Sequence, residues 1–138
     1  MSEMTSVEKM QELVLKAPFH RWLGLRVKSV GDGSVTIAMP WREEFVSNPE
    51  VRYTHGGLLA TLIDIAADYA IASKLGHGVP TVDMRIDYHK PALPPDDLIA
   101  TGRLIKLGRM LAVAEAEIAD AAGALIASGR GVYLVGMR

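Results

Sequence analysis

The sequence contains no cysteine, and aromatic residues make up only 6% of its 138 positions. The lack of thiols excludes disulfide bonds, thiolate nucleophiles and cysteine-ligated metal sites. It also agrees with a reducing compartment. The first sixteen residues carry charges throughout and lack the apolar core of a secretory signal. We therefore predict a cytoplasmic protein.

Neither sign of charge is in excess, because fifteen Lys and Arg residues oppose sixteen Asp and Glu residues, for a net charge of -1. A general nucleic-acid binder needs a strongly basic face, so no nucleic-acid partner is expected. Long hydrophobic runs are also missing. The most apolar stretch, residues 58–72, is interrupted by Asp64 and Asp68 and is shorter than the roughly 20 residues that a bilayer span requires. We expect no membrane partner, and one domain over residues 1–138.

Several motifs that carry chemistry in other proteins are missing. The chain has no Gly-x-Ser-x-Gly nucleophile elbow, no dinucleotide-binding glycine fingerprint and no phosphate-binding lysine motif. Its four histidines do not have the close spacing of metal ligands. We therefore expect no metal site.

What is present is a clear alternation of helical and strand periodicity. The pattern predicts two helices, one within residues 1–17 that begins with a capping box from Thr5 to Glu8, and a long one at 58–75 that ends at Gly76. It predicts six strands, at 25–30, 35–39, 81–89, 98–107, 110–119 and 124–135. A loop is predicted at 40–54. The long helix is apolar almost all round, so it must be covered on most sides. We predict an α+β fold in which a curved antiparallel sheet wraps around this helix.

Asp64 is the most informative residue, because it lies in the middle of the long helix between apolar neighbours. Charged side chains are rarely buried without a partner. One interpretation is a narrow solvent-facing strip that Asp64 shares with Asp68, one turn further on. The other is a carboxylate in a cleft, where it acts as a base or as a nucleophile.

The tripeptide His55-Gly56-Gly57 stands at the start of the same helix. The first amides of a helix have no internal acceptor, so the Gly57 N–H is expected to be free for a polarised carbonyl. The alternative is a tight turn in which His55 is only a local hydrogen-bonding group. Gly57 and Asp64 lie two turns apart on one face, roughly 10 Å along the axis. One substrate carbonyl cannot contact both within a subunit, which predicts a dimer with the site at its interface.

Residues 55–64, HGGLLATLID, resemble the signature of hotdog-fold acyl-CoA thioesterases of the phenylacetate-pathway, or PaaI-like, group. The strand sequence TVDMRIDY at 81–88, the Lys-Pro-Ala that starts at Lys90, and the Gly-Arg pairs at 102–103 and 108–109 resemble later elements of that family. The likeness extends over residues 18–135, which form the predicted core.

This resemblance implies a hotdog fold, assembly into homodimers with shared active sites and often homotetramers, and no cofactor. Asp64 would activate water or attack an acyl-CoA thioester directly, and the Gly57 N–H would polarise the carbonyl. His55 would orient the loop, Gly56 would contact substrate, and Thr81 would hold the water. Period-two alternation puts Thr81 on the strand face opposite Val82 and Met84, which permits such a role.

The sequence departs from the family six residues before His55, where many members carry Asn or Gln and this chain has Pro49. Either Asn48 takes that role or the contact is missing. Arg52 and Tyr53 could instead shape the acyl pocket.

A basic cluster around one predicted turn contains Arg103 and Arg109, which are candidates to meet the phosphates of CoA. The aromatic candidates for the acyl pocket are Phe19, Trp22, Phe45 and Tyr69.

Three functions are compatible with this resemblance. The first is hydrolysis of an aryl- or short- to medium-chain acyl-CoA. The second is a hotdog hydratase or dehydratase, whose His and Glu spacing this chain lacks. The third is a non-catalytic acyl-CoA-binding module, against which the presence of Asp64 argues.

Overall fold

The computed structural model describes residues 6–136. Its elements in chain order are α1 (Val7–Val14), α2 (Pro18–Leu23), β1 (Arg26–Gly31), β2 (Ser34–Met39), a 3-10 turn (Glu43–Phe45), α3 (Gly56–Leu75), β3 (Thr81–Tyr88), β4 (Leu98–Leu107), β5 (Leu111–Ala119) and β6 (Leu125–Leu134). The predicted long helix and the six predicted strands are confirmed to within two residues at each end.

The six strands form one sheet in the order β1-β2-β4-β5-β6-β3, and every neighbouring pair is antiparallel. The α3 helix lies against one face of this sheet, mainly over β4 and β5. The predicted architecture, a sheet wrapped around one long helix, is therefore confirmed. The strands β1 and β3 form the two edges.

Small residues let α3 approach the sheet closely. A Cβ atom at Gly102 of β4 would stand 2.0 Å from the backbone oxygen of Ala66 in α3. A Cβ atom at Gly129 of β6 would stand 2.8 Å from a methyl group of Ile63. The helix ends at Gly76, whose φ of 86° is the left-handed conformation that glycine adopts without strain.

The N-terminal region differs from its prediction. Ser6 caps α1 by accepting a hydrogen bond from the Lys9 amide at 3.1 Å, whereas the predicted cap, Thr5, lies outside the described residues. The helix ends at Val14, and a second short helix, α2, was not predicted. Pro18 directly follows the predicted helix, where proline is typical of a helix end, but proline also suits the first position of a helix, and it begins α2.

The beginning of β3 contains a β-bulge, which overturns the predicted face of Thr81. Thr81 pairs with Tyr133 of β6, and Asp83 pairs with the next residue along, Val132. Val82 is therefore an extra residue, and simple alternation fails at this point. Thr81 shares the α3-facing side of the strand with Met84, not the opposite side.

Candidate active site

The carboxylate of Asp64 is held from the adjacent sheet by two hydroxyl groups. The Thr81 hydroxyl donates to Asp64 Oδ1 at 2.8 Å, and the Tyr133 hydroxyl donates to the same oxygen at 2.9 Å. Within residues 6–136 the second oxygen, Oδ2, has no hydrogen-bond partner. The carboxylate is thus fixed through one oxygen and available through the other.

Tyr133 is a residue of this site that sequence reasoning missed. Its side chain is fully buried, and burial raises the pKa of its hydroxyl above the ordinary value, with the charge of Asp64 acting in the same direction. The hydroxyl therefore keeps its proton at neutral pH and remains a donor to Asp64. The available signal was the alternation in β6, which places a tyrosine on the face toward α3.

Four residues of α3 form an uncovered stripe: Gly57, Thr61, Asp64 and Asp68 are exposed or half-buried. Their spacing of four, three and four residues keeps them on one side of the helix. The stripe borders β3, the edge strand, so it faces the side of the molecule where the sheet ends. Asp64 is half-buried there. It shares the strip with Asp68, as one interpretation of the sequence expected, but it is less open to solvent than a fully exposed residue.

The first turn of α3 is capped differently from the expectation. His55 is the N-cap residue, and its Nδ1 accepts the Gly57 N–H at 2.8 Å. The expectation that this amide is free is therefore wrong for this conformation, because the ring satisfies it. The Gly56 N–H has no acceptor among residues 6–136, so one amide of the helix N-terminus does remain available.

A tyrosine joins the other end of β3 to this helix start. The Tyr88 hydroxyl donates to the Gly56 carbonyl at 2.9 Å. A side chain at position 56 would contact the Tyr88 ring at 3.3 Å, which explains the glycine there. The strand β3 runs antiparallel to α3 and is hydrogen-bonded to it near both strand ends. Thr81, at the start of the strand, bonds to Asp64, and Tyr88, at its end, bonds to Gly56.

A cavity of about 450 Å³ opens beside Gly56. Its lining is largely apolar and consists of Tyr53, Thr54, Gly56, Leu59, Tyr88, His89, Lys90, Pro91 and Ala92. None of the four aromatic pocket candidates contributes to it. Phe45 and Tyr69 are core residues, and Trp22 packs edge-on against Phe45 with a ring-centroid distance of 5.4 Å. Tyr53, the other candidate, does line the cavity.

Asn48 shapes the loop that leads to His55. Its Oδ1 accepts the backbone N–H groups of Glu50 at 2.9 Å and Val51 at 3.3 Å. Its backbone oxygen accepts the Arg52 N–H at 2.6 Å, and Arg52 has a positive φ of 68°. Asn48 therefore organises a tight turn. Its replacement of the family's upstream amide stays a prediction.

The two arginines of the basic cluster lie in different places. Arg103 follows Gly102, which faces α3, so Arg103 points to the opposite side of the sheet, where it pairs with Glu115. The structure does not bring it to Asp64. Arg109 lies in the exposed turn between β4 and β5, and the adjoining Met110 accepts a backbone hydrogen bond from Val135. That turn lies just beyond the sheet row that contains Tyr133 and Thr81.

The fold and the site together define a hotdog-fold protein whose central helix presents the carboxylate of Asp64, held by two hydroxyl groups of the sheet. A family model described as the thioesterase superfamily matches residues 52–127. Human acyl-coenzyme A thioesterase 13 is 34% identical over 135 residues, which cover 92% of this chain and 95% of the human protein.

Solved structures of similar fold point to the same family. An X-ray structure of a protein from the thioesterase superfamily is 49% identical, with a TM-score of 0.90 over 94% of this chain and 97% of its own. The PaaI protein of E. coli, from the phenylacetic acid degradation operon, is 26% identical, with a TM-score of 0.76 over 83% of this chain and 86% of its own. The chain belongs to the thioesterase superfamily, and it is a thioester hydrolase.

Across residues 6–136, none of the helices combines the length and the apolar character needed to cross a bilayer.

Proposed function

We propose that the protein is an acyl-CoA thioesterase that uses Asp64 to hydrolyse the thioester of an aryl- or short- to medium-chain acyl-CoA. The observation that carries this proposal is the arrangement of Asp64, with Oδ1 held by Thr81 and Tyr133 and Oδ2 without a hydrogen-bond partner among residues 6–136. A carboxylate held in this way can accept a proton or attack a carbonyl carbon without reorganising.

The reaction can proceed in two ways from this geometry. As a general base, Asp64 takes a proton from water while the water oxygen bonds to the thioester carbon. As a nucleophile, Asp64 bonds to that carbon first, and water then hydrolyses the resulting anhydride. In both cases the carbon–sulfur bond breaks, and the CoA sulfur leaves as a thiolate that takes up a proton. Thr81 holds the carboxylate and the attacking water in place.

The carbonyl oxygen of the substrate would lie at the start of α3, where the helix dipole favours negative charge. The Gly57 N–H is the proposed donor. In the free protein it is satisfied by His55 Nδ1, so the substrate oxygen replaces the ring as its acceptor. His55 thereby keeps the site ordered between turnovers, and the adjoining Gly56 N–H offers a second donor.

We place each active site between two copies of the chain. Within one subunit, Gly57 and Asp64 are two helical turns apart, roughly 10 Å along the axis, which is too far for one carbonyl. The eight-residue strand β3 is an uncovered edge, and its Val82 and Tyr88 are 57% and 56% exposed. A second copy that pairs along this edge would cover the α3 stripe and bring its own Asp64 toward Gly57. Further pairing of such dimers into a tetramer is the larger assembly that we propose.

The cavity beside Gly56 is the proposed acyl pocket. Its volume of about 450 Å³ falls in the range of small-molecule sites, and its lining is mainly apolar. It adjoins the amides that would bind the carbonyl, so an acyl group could enter it while the thioester carbon stays at the helix start. This placement favours aryl and short or medium acyl chains.

CoA would extend from the thioester along the surface. Arg109 is the better placed of the two candidate phosphate ligands, because its turn adjoins the row of Thr81 and Tyr133. Arg103 would contribute only if the nucleotide reached the outer face of the sheet. We propose the cytoplasm as the location. Acyl-CoA esters are available there, and the absence of cysteine agrees with a reducing compartment.

A hydrolysis screen over aryl-, short-, medium- and long-chain acyl-CoAs, read as release of free thiol, tests the assignment. The wild-type protein should hydrolyse at least one class, and Asp64→Asn should lower kcat at least about a hundredfold, the usual scale for a general base. Glu12→Gln, which removes a carboxylate from the exposed side of α1, is the matched control and should be unaffected. Wild-type rates in Asp64→Asn would show that Asp64 is structural.

The shared site has its own test. Gly57→Pro removes the amide donor at a helix position where proline is tolerated. Gly57→Ala adds a similar steric load against the His55 ring but keeps the amide. Heterodimers of Gly57→Pro with Asp64→Asn contain one doubly defective site and one intact site, so they should recover about half of the wild-type activity. An assembled but inactive heterodimer would refute the shared site and leave the thioesterase assignment in place.

A further inference from the structure

A second carboxylate, Asp68, lies one helical turn beyond Asp64 on the uncovered stripe of α3. The proposed reaction does not use it, and the resemblance to the thioesterase family assigns it no role. It is half-buried and forms no ion pair within residues 6–136. A carboxylate in such a place needs a physical explanation.

One contact connects Asp68 to the segment between α3 and β3. Its Oδ1 accepts the backbone N–H of Val79 at 2.9 Å. A Cβ atom at Gly78 would stand 3.7 Å from both carboxylate oxygens, so the side chain packs along this segment. Val79 precedes Thr81 by two residues, and Thr81 is the residue whose hydroxyl holds Asp64. Asp68 therefore anchors the start of the strand that completes the site.

The groups around Asp68 disfavour its charged form. Burial raises the pKa of Asp68 to about 7; the hydrogen bond from Val79 opposes that shift, and the charge of Asp64 adds to it. Burial is the main reason that the pKa values of Tyr69 on α3 and Tyr133 on β6 are raised, and the charge of Asp68 adds to both shifts.

Two histidines also lie on segments near Asp68. His77 lies in the connecting segment, where its Nδ1 is 3.0 Å from the Gly78 carbonyl oxygen. His20 of α2 packs edge-on against the Tyr69 ring at 5.8 Å. His20 forms no ion pair with Asp68 in the described part of the chain.

We propose that Asp68 is a positioning residue for hydrolysis: it anchors the segment that presents Thr81, and its negative charge makes Asp64 a stronger proton acceptor or nucleophile. This inference rests on the proposed role of Asp64. Residues four apart on a helix are neighbours, and the like charge of ionised Asp68 favours transfer of a proton or an acyl group to Asp64. Activity should therefore rise as Asp68 ionises around neutral pH.

Asn and Ala at position 68 separate the two effects. Asp68→Asn keeps an oxygen that accepts the Val79 N–H but cannot ionise, whereas Asp68→Ala loses both the acceptor and the charge. The measurement is kcat and KM for one acyl-CoA between pH 5.5 and 9, for the wild type, both variants and Asp68→Glu.

In the wild type we expect kcat to rise about three- to tenfold with a midpoint near 7, the size of effect that a modest gain in basicity produces. In Asp68→Asn this rise should vanish, with kcat at pH 8.5 close to the wild-type value at pH 5.5 and KM changed less than about twofold. Asp68→Glu should regain a rise with a displaced midpoint. Asp68→Ala should be slower at every pH, and adding Thr81→Ala to it should cost little more.

Two results would overturn the proposal. One is an unchanged midpoint in Asp68→Asn or, if that variant does not fold, in Asp68→Glu. The other is a fall in kcat by the same factor at every pH in Asp68→Asn, which indicates a structural residue only. The two hypotheses stay distinguishable. If Asp64→Asn is inactive while Asp68→Asn behaves as the wild type, only the role of Asp68 fails; if Asp64→Asn is active, the proposed mechanism fails first.

Discussion

Replacing Asp68 with Asn should change how the stability of the fold depends on pH. The pKa of this carboxyl is about 7 in the folded chain, against an ordinary value of 3.8 in the unfolded chain. Between these two values the folded state holds a proton that the unfolded state has released. Protonation therefore stabilises the fold at acidic pH, and this contribution is lost as the pH rises through about 7.

The size of the effect follows from those two values. Raising the pH from 5 to 8 removes about 2 to 3 kcal/mol of the free energy of unfolding that proton binding at Asp68 contributes. Asp68→Asn keeps the acceptor for the Val79 N–H but binds no proton, so it lacks this pH-dependent contribution. The variant should gain stability relative to the wild type by about 2 to 3 kcal/mol between pH 5 and pH 8.

Urea unfolding measures the difference, with fluorescence of Trp22 and Trp41 as the signal. Both proteins are compared at pH 5 and pH 8 at one protein concentration, because assembly of subunits also stabilises the fold. Glu12→Gln is the control, since it removes one charge from an exposed position on α1.

An equal stability difference between Asp68→Asn and the wild type at pH 5 and pH 8 would contradict this prediction. A loss of stability of the variant relative to the wild type as the pH rises would also contradict it, because that sign would mean that the fold favours ionised Asp68. A shift of similar size in Glu12→Gln would assign the effect to overall charge.

Three further outcomes are expected. Tyr133→Phe should lower kcat about tenfold with little change in KM, because Asp64 loses one of its two hydroxyl donors; steady-state kinetics measure this, and an unchanged kcat would mean that the hydroxyl only packs. Thr81→Ala should lower kcat more than it raises KM, whereas Thr81→Ser should stay close to wild type; equal losses in both would instead indicate packing of the methyl group. Arg109→Ala should raise KM for an acyl-CoA several-fold but not for an acyl thioester that lacks the nucleotide, with Arg103→Ala, on the outer face of the sheet, as the comparison; equal effects on the two substrates would remove the phosphate role.

The fold was largely predictable because its pattern is strong. The switch from helical spacing to period two after residue 78 marks the end of the apolar helix and the start of the sheet strands. The second helix at Pro18–Leu23 was missed because it is only six residues long, too short for periodicity to show, and because its proline reads equally well as a stop or a start.

The site was predictable in its residue types and less so in its contacts. Asp64 stood out because an acid in an apolar helix is unusual. Thr81 was placed on the wrong face, because one extra residue, Val82, breaks the count, and a bulge leaves no composition signal. Tyr133 was missed because its role depends on pairing between strands distant in sequence. The state of the Gly57 amide depends on the orientation of the His55 ring, which residue spacing does not determine.

The close packing of α3 against glycines and alanines of the sheet limits which residues can be changed to alter the substrate preference of this enzyme. With a Cβ at Gly102 only 2.0 Å from the Ala66 oxygen, a larger residue there would lift the helix, and with it Asp64, away from its supporting hydroxyls. Enlarging the interior beneath the helix is therefore a poor route to longer acyl chains. Variation in chain-length preference is expected instead in residues 40–54 and around the cavity beside Gly56, which can change without moving the Asp64 carboxylate.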